Sequence, residues 1–102
     1  MAWFIKTETF TISTAALTNK QRHLYLDAHR EWVNQLCRSG RRISSGFLVD
    51  DKGLPGGGGL LIFEANTYAD ALALVKDDPM IMAGLVNWKL QEWIPFSGDG
   101  WP

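Results

Sequence analysis

The chain has 102 residues, a length suited to one domain. Ten basic and eleven acidic residues leave a net charge of −1, which gives no electrostatic case for nucleic acid or an anionic membrane as the main partner. No apolar run approaches a membrane span, the N-terminus MAWFIKTETF shows no secretion-type pattern, and the single Cys37 excludes an internal disulfide, so a reducing cytoplasm is the expected setting.

Residues 2–9 (AWFIKTET) read as a strand whose two alternating sets both carry apolar residues. A loop rich in Thr, Ser and Ala follows. A helix is expected over 18–39, opened by Thr18 with Gln21 three residues on as a capping box and closed by Gly40, with Arg38, Arg41 and Arg42 near its negative end. Residues 42–50 form a second strand and 59–65 a third, joined by DDKGLPGGGG as a flexible glycine-rich connection. Thr67 caps a second helix over 68–76. Asp77-Asp78-Pro79 breaks it and starts a short helical turn that ends at Gly84. Residues 85–94 are a fourth strand, with Val86, Trp88, Leu90 and Ile94 on one face. Residues 1–95 thus make a single domain, and 96–102 a tail with little to order it.

The order β-α-β-β-α-β is the ferredoxin-like pattern of an α+β protein: a four-stranded antiparallel sheet with two helices on one face. The third strand is apolar on both sides, Leu60 and Ile62 against Leu61 and Phe63. Two helices cover one face only, so something outside the chain is expected to cover the other. A second copy is the simplest candidate, giving a homodimer, or a higher homo-oligomer, built as a dimeric α+β barrel.

The first helix carries both histidines. At about 100° per residue His29 falls in the apolar stripe with Tyr25, Leu26, Trp32, Val33 and Leu36, while His23 falls among Asp27, Arg30 and Asn34. A buried imidazole needs a hydrogen-bond partner or costs about 1–3 kcal/mol in desolvation. That partner is either a backbone carbonyl, which makes His29 a core residue, or a carboxylate, which makes it a general base. Tyr25, Trp32 and Trp88 could line an aromatic pocket around it or serve only as core. Ser45, with Ser44 and Arg42, could bind a polar ligand or be a surface group; as a nucleophile Ser45 would need a base in reach. Two histidines without clustered cysteines or paired carboxylates argue against a metal site. The glycine run lacks the Lys-Ser/Thr of a phosphate cradle and precedes a strand. Asp78 is an N-cap on any reading, and Asp77 and Asp78 compete as the partner of His29.

Three segments in this order, HREWVNQLCRSGR (29–41), SSGFLVDDKGLPGGGGLLIFEA (44–65) and DDPMIMAGLVNWKLQEW (77–93), resemble the YCII-related (YciI-like) family, and with the first strand the resemblance covers about residues 3–95. The chain departs from many members in carrying Phe47, not Pro, after Gly46. The resemblance implies a dimeric α+β barrel and a site made of one histidine on the first helix and one aspartate of the Asp-Pro turn, which fall on His29 and Asp78. It also implies a small-molecule ligand and chemistry without a cofactor: lyase or isomerase work such as dehydrochlorination, or, more remotely, the oxygenation done by sister families. The alternative is a non-catalytic dimeric module that binds a small ligand or supports a larger pathway.

Overall fold

The computed structural model describes residues 1–98. Four strands, β1 (Ala2–Phe10), β2 (Ile43–Val49), β3 (Pro55–Ala65) and β4 (Val86–Trp93), form one antiparallel sheet in the order β2-β3-β1-β4. Four helices join them: α1 (Ile12–Ala15), α2 (Asn19–Arg38), α3 (Tyr68–Val75) and α4 (Pro79–Met82). This is the expected ferredoxin-like arrangement, with α1 as a further turn where a loop was expected. No helix among the described residues is long and apolar enough to cross a membrane. Of the tail 96–102, residues 96–98 form no regular element, and 99–102 lie outside the described residues.

Register assigns the faces. Phe4 pairs with Phe63, and Lys6 lies between Leu61 and Leu90. Their side chains share the helix-covered face, and the core gathers there: Phe4, Leu61, Phe63 and Leu90 from the sheet, Val33 from α2, and Ala71, Leu74 and Val75 from α3. Burying a side chain of the Phe or Leu class is worth about 1.5–3 kcal/mol each. The opposite face carries Ile5 paired with Ile62 and Thr7 paired with Leu60, all half-buried, so β3 is apolar on both sides as its sequence implies.

The ends of α2 are set by local chemistry. Thr18 Oγ1 accepts from the Gln21 N–H at 3.1 Å, and the Gln21 side chain accepts from the Thr18 N–H at 2.9 Å. At the other end Gly40, with φ of +95°, allows its own N–H to reach the Cys37 carbonyl and the Arg41 N–H to reach that of Leu36, a Schellman closure.

The structure corrects the reading of the glycine run. Gly56 to Gly59 are not a flexible connection: they lie in β3, which starts at Pro55, and the turn is confined to 50–54. The pairing with β2 slips between Phe47 and Val49. Gly58, with φ of +90°, brings β3 so close to β1 that a Cβ there would lie 1.8 Å from the Glu8 carbonyl oxygen. Close backbone approach is why a glycine occupies position 58. Gly58→Ala is expected to lower stability by at least about 1–3 kcal/mol, since it adds overpacking to a disfavoured φ. A urea midpoint equal to wild type would refute that reading.

Candidate active site

The Asp-Pro turn builds one half of the site. Pro79 takes the first helical position of α4, and Asp78 before it turns its side chain back to accept the Met80 N–H at Oδ1, 3.0 Å away. The side chain of Asp78 is wholly buried. His29, in the middle of α2, supplies the other half: its Nδ1 lies 2.8 Å from the same Oδ1, and its side chain is 16% exposed. Val33, one turn on, is buried in the core and holds this face of α2 against the sheet. The phase that separates the two histidines is realised, because His23 is exposed, as is Asp77.

The second oxygen of Asp78 has a partner that the sequence reading missed. Lys6 Nζ, wholly buried, lies 3.1 Å from Oδ2 and also pairs with Glu8. Burial acts to raise the Asp78 carboxyl, but the hydrogen bond from His29, the charges of Lys6 and of the imidazole when protonated, and the Met80 N–H outweigh it. The carboxyl is held below its ordinary value of 3.8. Asp78 is therefore ionised at neutral pH and only accepts hydrogen bonds.

That fixes the tautomer of a neutral His29. Nδ1 must carry the hydrogen donated to Asp78, which leaves Nε2 as an acceptor. Ser45 Oγ lies 2.8 Å from Nε2 and donates to it. Ser45 comes from β2, two residues from Ile43, which sits on the helix-covered face opposite Phe63. The result is one hydrogen-bonded chain from buried to exposed: Lys6, Asp78, His29, Ser45.

The exposed end opens on a cavity of about 450 Å³ whose walls include Glu8, His29, Ser45, Phe47, Gly59 and Met80. A second cavity of about 350 Å³, walled by Tyr25, Leu85 and other mostly apolar groups, shares Phe10, Leu26 and Met80 with the first. A polar compartment thus adjoins an apolar one. A larger cavity, about 720 Å³, lies near the C-terminal end of α2 and has neither His29 nor Asp78 in its walls.

Of the six expected site residues, the structure brings together His29, Asp78 and Ser45. Tyr25 borders the adjoining apolar cavity. Trp32 leans on the His29 ring, with centroids 5.8 Å apart, and otherwise lines the cavity of about 720 Å³. Trp88 packs against the core and borders another cleft with Glu8, Asn87 and Lys89. Lys6 and Glu8 are the additions. Their signal was alternation, because both are in phase with Phe4. With apolar residues in both phases of that strand, the sequence did not say which phase faces the core. Among the described residues no three His, Cys, Asp or Glu converge as a metal centre requires.

Comparison with known proteins places the chain. The family model of the YCII-related domain matches residues 7–94, and the chain belongs to that family. No curated protein matches it. Among solved structures it is similar to a 5-chloro-2-hydroxyhydroquinone dehydrochlorinase from Burkholderia phenoliruptrix AC1100, determined in complex with 2,5-dihydroxybenzoquinone. The two share 22% identity with a TM-score of 0.67, over 90% of this chain and 93% of the other. At that identity the likeness establishes the fold.

Proposed function

We propose that this member of the YCII-related family is a cofactor-independent enzyme that moves a proton on a small cyclic or aromatic molecule, with His29 as the base. The carrying observation is the unbroken chain Lys6–Asp78–His29–Ser45, which ends at a cavity with an apolar annex. Nε2 takes a proton from the substrate, displacing the Ser45 hydroxyl or receiving the proton through it. Asp78 holds the ring and stabilises the imidazolium, and Lys6 keeps Asp78 ionised. The ring of the substrate extends toward Phe10, Leu26 and Met80. Positioned general-base catalysis of this kind is worth about 10²–10⁴ in rate.

Elimination of HCl is the form of this chemistry that the structural neighbour's name supports. On a chlorinated hydroquinone one ring hydroxyl first ketonises and its proton goes to the chlorine-bearing carbon; the base then takes a second hydroxyl proton, that electron pair forms the new carbonyl and shifts the ring double bonds, and chloride departs with the carbon–chlorine electrons. No redox partner is needed. The test is saturable chloride release from 5-chloro-2-hydroxyhydroquinone by the purified protein. A rate no greater than the uncatalysed one sinks dehydrochlorination as the reaction.

A non-catalytic reading has one observation in its favour: Asp78 is already employed as the cap of α4. On that reading His29→Ala lowers stability while ligand binding persists in the folded fraction.

The half-buried apolar positions Ile5, Leu60 and Ile62 support association with a second copy through the face away from the helices. Sedimentation equilibrium at micromolar concentration is expected to give twice the monomer mass; a monomer alone would leave that face uncovered. The cytoplasmic setting inferred from the lone cysteine belongs with this proposal.

A further inference from the structure

The dyad accounts for Lys6 but not for Glu8. Lys6 is the counter-ion of Asp78, and that pair would be complete without a second carboxylate. Yet Glu8, two residues on along the same face of β1, also pairs with Lys6 through Oε1 and is only 11% exposed. Its other oxygen, Oε2, has no hydrogen-bond partner among the described residues, whereas no fully buried side-chain nitrogen or oxygen among them lacks one. Oε2 is therefore open to solvent, and Glu8 lines the cavity that holds His29 and Ser45 as well as the cleft beside Trp88. The carboxylate rests on the backbone of Gly59: a Cβ there would lie 3.1 Å from Glu8 Cγ and 3.4 Å from Oε2. The glycine leaves room for it.

We infer that Glu8 is a substrate-reading residue: Oε2 accepts a hydrogen bond from a hydroxyl of the molecule whose proton His29 takes, and the cavity thereby selects neutral hydroxylated ligands over carboxylates. The inference rests on the proton-transfer reading above and names its substrate class. A carboxylate only accepts, so it rewards a donor and repels an anion, more strongly where water is scarce. A ligand carboxylate would find one cation in that wall, Arg30, at its solvent-exposed rim and beside Asp27. Lys6 lies behind the wall and is shared between two acids. Lys6 acts here as a positioning residue that fixes Glu8 and Asp78 relative to each other.

The test is anaerobic calorimetric titration of hydroquinone and of 4-hydroxybenzoate into wild type, Glu8→Gln and Gly59→Ala, each first shown to be folded. Wild type is expected to prefer hydroquinone. Glu8→Gln should weaken hydroquinone by roughly 10–100-fold, the worth of a hydrogen bond to a charged acceptor, and tighten 4-hydroxybenzoate. Gly59→Ala keeps the charge but displaces the carboxylate, and should weaken hydroquinone in the same sense. A merely structural Glu8 would move both ligands together. Parallel changes, unchanged selectivity in both variants, or a wild type that binds neither ligand or prefers the carboxylate overturns the role of Glu8. The readout is binding, so absence of chloride release by wild type would overturn the enzyme reading separately.

Discussion

His29→Ala should leave a folded protein whose chloride release falls about 10²–10⁴-fold, the usual contribution of a positioned general base. The loss should appear in kcat more than in KM, because Nε2 acts on the proton in flight and little of the binding surface is removed. The fold should survive. The ring is partly exposed, it contacts Trp32 at the rim of the core, and Asp78 keeps Lys6 and the Met80 N–H when the imidazole is gone. Unaltered turnover in a folded His29→Ala protein would remove the histidine from the mechanism. Collapse of the fold, with ligand binding retained in whatever remains native, would favour the non-catalytic reading.

Lys6→Met carries the largest expected cost in stability, about 3–5 kcal/mol, because it strands two carboxylates, Asp78 wholly buried and Glu8 nearly so. Urea denaturation reads it directly. Adding Asp78→Asn to Lys6→Met should recover part of the loss, since the more deeply buried of the two stranded charges is then gone while Glu8 remains. The pH dependence has a defined sign. The Asp78 carboxyl lies below its ordinary value in the folded state, so the unfolded chain binds the proton first as pH falls. The stability it contributes is fully present above about pH 4 and is lost as pH drops through the lower folded value. Lys6→Met removes one of the charges that lower it, so the acid loss should begin at a higher pH than in wild type. An acid limb in the same place, with a small change in urea midpoint, would show that Lys6 is not a working counter-ion.

Much of the fold is written in local chemistry. The Thr18–Gln21 box, the Gly40 closure, the Thr67 cap and the Asp78-Pro79 start all form as their residue types dictate. Helical phase alone separated the buried-side histidine from the solvated one. Two things were not legible. The glycine run looks like a loop by composition, but Gly58 answers to the backbone of a neighbouring strand, and only tertiary proximity shows it. The inward lysine was hidden because β1 is apolar in both phases, so nothing local says which set faces the helices. The aromatic residues show the limit of the stripe argument: Tyr25 and Trp32 flank His29 on the helix yet face different cavities, because the apolar face of α2 runs past the edge of the core.

The reach of these inferences depends on one claim, that a nitrogen at the position of His29 Nε2 accepts the substrate's proton. Chemical rescue tests it most directly: chloride release by folded His29→Ala is measured with and without added imidazole. A cavity already open at Nε2 has room for the free ring. The expected result is a near-dead variant whose rate returns in part, rising with the concentration of free-base imidazole. A variant that releases chloride at the wild-type rate with no imidazole present would contradict the claim.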